Sequence, residues 1–203
     1  MTAPSARSGL LQRGRRSVDS GSGQRGSDGT PGRRVWRLPA DIDTDVLAPV
    51  VWMKYSAEVV AQHCLEALRP QFALEVRAGD VIVAGPNFGI GSSREQAAAA
   101  LVHLGIAAVI APSFGGLFFR NAFNVGLLLL TCRDAEALGD GERIEFDAQE
   151  GVVRCVADVH GRDLQGRGAL FDCEPLPPFL LERVQAGGLL AQLKRRFQAT
   201  ASR

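Results

Sequence analysis

The sequence predicts an α/β fold with a βαβ core and an additional antiparallel β layer. Residues 81–84 and 107–111 are short apolar runs, and between them lie a glycine-rich turn and an alanine-rich segment of high helix propensity. Strand, loop, helix and strand in this order form a right-handed unit whose parallel strands lie inside a sheet. Short alternating segments bounded by Gly and Asp turns then predict antiparallel strands at residues 142–147, 152–159 and 168–175.

Apolar periodicity and chain breakers predict the remaining elements. Alternation over residues 34–38 predicts a first strand, and apolar positions at helical spacing predict a helix over residues 57–68. Between them, residues 41–56 form a loop with short polar side chains and Pro49. The later elements are a short helix ending near Gly126, a buried strand at 127–131, and closing helices at 177–185 and 189–197.

The chain divides into an Arg/Ser/Gly-rich tail, residues 1–33, and one domain, residues 34–198. Residues 1–34 carry seven arginines and two acids, about +5, so the remainder is mildly acidic within a total of +1. The tail has too little apolar content to offset its ordering entropy, and we expect it to be disordered. A dispensable solvated segment is the preferred interpretation, with RNA contact or targeting as alternatives. The near-neutral total gives no electrostatic argument for a nucleic-acid partner.

Four cysteines, Cys64, Cys132, Cys155 and Cys173, are dispersed along the chain and form no CxxC pair. Metal and cluster sites usually show close-spaced pairs, which argues against a metal bound by this chain. Free thiols in a reducing compartment are preferred to disulfides. No apolar run approaches the roughly 20 residues that a membrane span needs, so we expect no membrane partner and a cytoplasmic location.

The stretch NFGIGSSREQAAAALVHLG, residues 87–105, allows two interpretations. Ser92 followed by Glu95 predicts a capping box at the start of a helix, and Gly105 predicts its end. The same turn places backbone N–H groups at a helix N-terminus, which suits phosphates and carboxylates. It lacks the third glycine of a dinucleotide fingerprint and the Gly-Lys-Ser/Thr of a P-loop. Ser92, Ser93 and Arg94 would supply two hydroxyls and a guanidinium to a carboxylate.

Other polar and aromatic residues favour structural roles. Asp41, Asp43 and Asp45 lack the glycine and closing glutamate of a calcium loop, so turn and helix-cap roles are preferred to metal binding. Core packing is preferred for Trp36. The histidines stand singly, and structural or surface roles are expected for His63, His103 and His160.

Three blocks, in order along the chain, carry a resemblance to a known family. They are Asp43-Thr44-Asp45 with Pro49; Val83 onward through Gly91-Ser92-Ser93-Arg94-Glu95; and residues 108–127 with Ser113-Phe114, Asn121 and Gly126. On these blocks, residues 34–197 resemble the small-subunit family of 3-isopropylmalate dehydratase, which corresponds to the swivelling domain of the aconitase family. The resemblance implies a swivelling β/β/α domain.

The resemblance also implies roles for individual residues. Ser92 would be the base that removes a proton from the carbon beside a carboxylate. The implied substrate-binding residues are Ser93, Arg94, Asp45, Gly91, Trp52 and Lys54. A [4Fe–4S] cluster would lie on a separate large subunit, with none bound by this chain. The implied assembly is a heterodimer or heterotetramer acting on a small hydroxy-dicarboxylate.

The implied reaction interconverts 2- and 3-isopropylmalate, or a related alkyl-malate, in leucine biosynthesis. The chain departs from the family at Ile90, where Cys is common, and at Gln96, where His is common. Residues 50–53, Val-Val-Trp-Met, replace a smaller and more polar loop. A homoaconitase-type or 2,3-dimethylmalate-dehydratase-type small subunit therefore stays open as an alternative. An alternative of another class is a non-catalytic carboxylate-binding module.

Overall fold

A computed structural model of the protein describes residues 31–201. Its strands are β1 (Arg33–Leu38), β2 (Val81–Ala84), β3 (Ala108–Ala111), β4 (Leu129–Thr131), β5 (Arg143–Asp147), β6 (Val152–Ala157) and β7 (Leu170–Asp172). Its helices are α1 (Thr44–Leu47), α2 (Ala57–Gln62), α3 (Phe72–Glu75), α4 (Glu95–His103), α5 (Gly116–Val125), α6 (Pro178–Gln185) and α7 (Leu189–Ala201). Residues 1–30 of the predicted tail lie outside the described residues.

Within the described residues, seven strands form one sheet in the order β4-β3-β2-β1-β5-β6-β7. The first four strands in this order are parallel, so the predicted βαβ unit is confirmed as β2, α4 and β3. The last three are antiparallel to their neighbours, as predicted. They join the parallel strands where Arg33 and Arg34 of β1 pair with the start of β5.

The sheet curls until its two outer strands approach each other. Glu174, just after β7, donates its backbone N–H to the carbonyl of Thr131 at the end of β4, over 2.8 Å. The sulfur of Cys132 lies 3.7 Å from the carbonyl oxygen of Asp172. This contact partly covers strand edges that would otherwise offer unpaired backbone groups to another chain.

The core lies between the parallel strands and the helices α2, α4 and α5. Strands β2 and β3 are buried along their whole length, as parallel strands covered on both faces are. Phe88 packs edge-on against Phe118 of α5, with ring centroids 5.3 Å apart. Trp36 is buried as predicted, and its indole N–H donates to the carboxylate of Asp80 at 2.8 Å. The buried positions of α4 are Ala97, Ala98, Ala100 and Leu101.

Helix α4 ends at the predicted glycine. The N–H of Gly105 donates to the carbonyl of Val102, and the N–H of Ile106 donates to that of Leu101, both at 3.0 Å. These two bonds form a Schellman motif, which requires a left-handed residue at the position of Gly105. Gly105 has φ +77° there. Helix α5 likewise ends before Gly126, so both predicted helix ends are confirmed.

Gly105→Ala is expected to lower the free energy of unfolding by more than about 1 kcal/mol. A side chain disfavours this positive φ, and an added Cβ would lie 2.8 Å from the Cα of Ala78. Gly116→Ala is the matched control, because no atom lies within 4 Å of its added Cβ and Gly116 starts helix α5. Urea unfolding of both variants measures the difference. Equal stability of the two variants would contradict the assignment of strain to Gly105.

The helix predicted over residues 57–68 is wrong in its length, since α2 ends at Gln62. Leu65 adopts φ +61°, is fully buried, and donates its N–H to the carbonyl of Val46 at 2.9 Å. That bond to the end of α1 replaces the bond to Ala61 that a continuing helix would make. A contact with a distant segment therefore overrides the local periodicity.

The loop predicted over residues 41–56 contains two short helical turns, α1 and a 3₁₀ turn at Val50–Trp52. The two closing helices are confirmed as α6 and α7, with Gly187 and Gly188 between them. In the part of the chain that the structure describes, no helix has both the length and the apolar character needed to cross a membrane.

Candidate active site

Three loops meet at the carboxyl ends of β1, β2 and β3, and we call residues 39–43, 85–94 and 112–115 the strand-end loops. Backbone hydrogen bonds of 2.7–3.1 Å hold them side by side. From donor N–H to acceptor carbonyl, these bonds run from Gly89 to Ile42, Thr44 to Ile90, Phe88 to Ser113 and Gly115 to Phe88. Open α/β sheets bind their ligands outside the carboxyl ends of the strands, so this is where a site is expected.

Asp45 and Arg94 form an ion pair that joins α1 to the second strand-end loop. Asp43 is the N-cap of α1 and accepts the N–H of Asp45 at 2.6 Å, which confirms a cap role for Asp43 and fixes the first turn that carries Asp45. Gly91 lies against this cap, since an added Cβ would be 2.9 Å from the Asp43 carboxylate. The structure thus brings together the predicted residues Asp45, Gly91 and Arg94.

The guanidinium of Arg94 is the better covered half of this pair. Its side chain is 18% exposed, whereas that of Asp45 is 55% exposed. Arginine carries five N–H donors in a planar fork, so a guanidinium held by one carboxylate still has donors for a second one. The pair can therefore hold Arg94 in one orientation while a substrate carboxylate approaches.

Ser92 and Ser93 lie on an exposed turn before α4. The predicted capping box is wrong, because α4 begins at Glu95 and Arg94 occupies the N-cap position with no side-chain capping bond. Two contacts from outside the turn account for the later start. The side-chain amide of Asn121 in α5 donates to the carbonyl of Ser93 at 3.1 Å, and Arg94 pairs with Asp45. The two serine hydroxyls are consequently released from capping and are accessible to a ligand.

Polar residues that the sequence analysis did not assign to the site support its loops. Asn87 donates its backbone N–H to the hydroxyl of Ser113 at 2.9 Å and its side-chain amide to Asp41 at 2.8 Å. Asn87 also has φ +62°, a conformation that Asn tolerates better than most residues. Asn121 is buried. A polar residue on the apolar face of α5 was the signal that could have identified Asn121.

Trp52 and Lys54 lie in a neighbouring cluster. The Trp52 ring stacks on His63 with centroids 3.7 Å apart, and its N–H donates to Glu66 at 3.2 Å. Glu66 also bonds Nδ1 of His63 at 2.6 Å, and the Lys54 ammonium lies 5.2 Å from the Tyr55 ring centroid. Among the described residues, the polar and ring contacts of Trp52 and Lys54 stay within this cluster. The structure does not bring them into contact with Ser92–Arg94.

The cysteines of the described residues do not make a donor set for an iron–sulfur cluster. Cys132 and Cys173 contact each other, while Cys64 and Cys155 are buried elsewhere. Burial raises the pKa of the Cys64 thiol, and burial with nearby Glu142 raises that of Cys155 to about 11, so both stay protonated at neutral pH. Nor do residues 31–201 contain a group of three or more His, Cys, Asp or Glu that could hold a metal ion.

Comparison with known proteins identifies what this arrangement is similar to. The family model of the aconitase C-terminal domain matches residues 65–135, which include the second and third strand-end loops. The 3-isopropylmalate dehydratase small subunit 1 of Archaeoglobus fulgidus is 43% identical over 158 residues, 77% of this chain and 92% of the relative. The methanogen homoaconitase small subunit of Methanothermobacter thermautotrophicus is 40% identical over 159 residues, 77% of this chain and 86% of the relative.

A solved structure shows the same fold. The crystal structure of 3-isopropylmalate dehydratase (leuD) from Methanocaldococcus jannaschii matches with a TM-score of 0.73 at 36% sequence identity. The match covers 84% of this chain and 96% of that one, and it confirms the predicted swivelling-domain fold. Relatives of this identity are matched over nearly their whole length, and the chain therefore belongs to the 3-isopropylmalate dehydratase small-subunit family of aconitase-type hydro-lyases.

Proposed function

We propose that the chain is the small subunit of a hydro-lyase that interconverts 2- and 3-isopropylmalate by dehydration and rehydration. The observation that carries this proposal is the Asp45–Arg94 pair, which holds a guanidinium beside two exposed serines at the ends of parallel strands. A guanidinium and clustered hydroxyl and N–H donors match the carboxylates of a malate. The similarity to small subunits named for this reaction supplies the substrate class.

In the proposed mechanism, Ser92 removes the proton from the carbon beside a substrate carboxylate. A serine has a high pKa, so its alkoxide must be stabilised by donors around it, and Arg94 is the nearest cation in sequence to supply such a field. Arg94 and Ser93 bind carboxylate oxygens, and Asp45 orients Arg94 through the ion pair. Gly91 lies against the Asp43 cap, where a side chain would meet the Asp43 carboxylate. The absence of a side chain at Gly91 also lets the substrate approach the backbone of the turn.

The rest of the active site is proposed to lie on a partner. A large subunit would hold a [4Fe–4S] cluster, which would supply Lewis-acid chemistry to the substrate. This chain closes the cleft over the substrate in a cytoplasmic heterodimer or heterotetramer. The dispersed cysteines of this chain support that division, since they do not form a ligand set among the described residues.

Trp52, in the Val50–Trp52 turn, and Lys54, just after it, are proposed to contact the variable end of the substrate. This turn exposes apolar side chains, with Val50 59% and Val51 67% accessible. Exposed apolar surface of this kind suits an alkyl substituent on the malate. It equally admits a second candidate of the same mechanism, a homoaconitase-type or 2,3-dimethylmalate-dehydratase-type small subunit. The 40% identity to a homoaconitase small subunit is the observation that supports this second candidate.

Co-expression of the chain with the large subunit from the same source tests the proposal. The pair is purified anaerobically and assayed with 2-isopropylmalate, citrate, homocitrate and 2,3-dimethylmalate. Turnover of 2-isopropylmalate is the expected result, and its loss on Ser92→Ala would place the activity in this site. Turnover of homocitrate or 2,3-dimethylmalate alone would favour the second candidate. If no complex forms and the chain alone binds dicarboxylates, the result would favour a non-catalytic carboxylate-binding module over an enzyme subunit.

A further inference from the structure

Cys132 and Cys173 form a thiol pair where the two outer strands of the sheet meet. Cys132 directly follows β4 and Cys173 directly follows β7. The N–H of Cys132 donates to Ala111 at 2.9 Å and the N–H of Cys173 donates to Gly151 at 2.7 Å, so each backbone is held by its own neighbour. The Cys173 thiol hydrogen-bonds the sulfur of Cys132. The pair is therefore fixed in contact by the fold.

One sulfur of the pair is accessible and the other is enclosed. Cys173 is half-buried and lines an open cavity of about 410 Å³, whereas Cys132 is fully buried behind it. Arg133 lines the cavity together with Asp134, Asp172 and Glu174, so its wall carries more negative than positive charge. A small disulfide reagent can reach Cys173 there, and the sulfur of Cys132 lies directly behind it for the next step.

We propose that Cys132 and Cys173 are a site of reversible disulfide formation, which takes a low-molecular-weight disulfide as its oxidant. The sulfur of Cys173 attacks one sulfur of the reagent, the reagent's S–S bond breaks, and the departing thiolate takes up the Cys173 proton. Cys132 then attacks the Cys173 sulfur of this mixed disulfide, and the second departing thiolate takes up the Cys132 proton. The pair gives up two electrons and two protons, one S–S bond breaks, one forms, and two reduced thiols are released.

Exposure and electrostatics together distinguish the pair from the other two thiols. The hydrogen bond from Cys173 lowers the pKa of Cys132, because it stabilises the Cys132 thiolate, and the same bond raises the pKa of Cys173. The raised pKa values of Cys64 and Cys155 disfavour their thiolates. Cys64 and Cys155 are also buried, at 1% and 4% exposure, whereas Cys173 is open to the cavity, so oxidation is directed to the pair. This inference does not depend on the proposed enzyme activity.

Mass spectrometry of the full-length chain tests the inference. The reduced chain is incubated with oxidised glutathione, alkylated and digested with trypsin under non-reducing conditions. Cleavage after Arg120 and Arg133, and after Arg167 and Arg183, places the two cysteines on peptides 121–133 and 168–183. The linked pair of these peptides is expected to exceed glutathione adducts by roughly tenfold or more, since the second step is intramolecular. Dithiothreitol should release both peptides.

Variants separate the two steps. Cys132→Ala is expected to accumulate a glutathione adduct on Cys173, because the attacking sulfur of the second step is missing. Cys173→Ser should form neither the linked peptide nor an adduct on Cys132. Cys155→Ala leaves the pair intact and should give the wild-type result. A wild-type chain that collects a stable adduct on Cys173, or that stays fully reduced while Cys132→Ala is modified, would overturn the inference.

Discussion

Ser92→Ala is expected to lower kcat of the assembled enzyme by about 10³-fold or more, with no change in the thermal unfolding of the chain. Loss of the proposed base removes the group that takes the proton, so kcat falls while substrate binding through Arg94 remains. Stability should be unaffected because Ser92 is exposed and α4 has its N-cap at Arg94. Steady-state kinetics and calorimetry on the same preparation measure both effects.

Ser56→Ala is the matched control for this variant. Ser56 is also an exposed serine at the start of a helix, and it makes no side-chain capping bond in α2. Its replacement should change stability by less than about 0.5 kcal/mol and leave turnover unchanged. An active Ser92→Ala enzyme, with more than about a tenth of wild-type kcat, would mean that another group is the base. A fall in melting temperature without loss of activity would restore the capping interpretation of Ser92.

Arg94→Lys is expected to lower kcat/KM by roughly 10²–10³-fold, although it keeps the positive charge. Lysine cannot form the two parallel hydrogen bonds with which a guanidinium binds a carboxylate, and it loses the fixed orientation that the ion pair with Asp45 gives. Most of the loss should appear in KM, since the contact is present in both ground and transition states. The half-exposed ion pair adds little to stability, so the melting temperature should change little.

Asp45→Asn tests the orienting role separately. It leaves Arg94 intact but removes the carboxylate that holds it, so a smaller loss of about tenfold in kcat/KM is expected. Arg120→Lys is the matched control, because Arg120 is an exposed arginine on α5. It should leave both kcat and KM at wild-type values. An effect of Arg94→Lys no larger than that of Arg120→Lys would remove Arg94 from substrate binding.

The fold was largely accessible from sequence because its strongest signals are local. The apolar runs of β2 and β3 and the glycines at the ends of α4 and α5 each act within a few residues, and the structure has them where the pattern placed them. The errors arose where a distant group took over a backbone bond. Leu65 bonds to Val46, and the carbonyl of Ser93 accepts from Asn121. No local pattern records either partner.

Part of the site could also be predicted from the sequence, because some of its signals are local. The Gly-Ser-Ser-Arg turn follows a predicted strand, so its place at the sheet edge could be deduced, and the resemblance added Asp45. The supporting contacts of Asn87 with Ser113 and Asp41 join segments that are far apart in sequence, and single-sequence reasoning has no measure of that proximity. Trp52 and Lys54 are the opposite case, in which residues predicted for the site have their contacts outside it. They were assigned by resemblance, and their contacts lie with His63, Glu66 and Tyr55.

Most of the hydrogen bonds between the strand-end loops join backbone groups, and Asn87 adds side-chain bonds with Ser113 and Asp41. Nearly every amino acid carries the backbone groups, so mutations at other side chains leave much of the frame around Ser92 and Arg94 in place. The 3₁₀ turn at Val50–Trp52 lies outside that frame. The backbone N–H groups of Trp52 and Met53 donate to Pro49 and Val50, and the Trp52 side chain contacts Glu66 and His63. With the roles proposed above, the residues of the reaction and the residues of substrate preference therefore lie on separate segments. After a gene duplication, mutations in this one short turn could change which acid is bound, while the proposed reaction at Ser92 and Arg94 is retained.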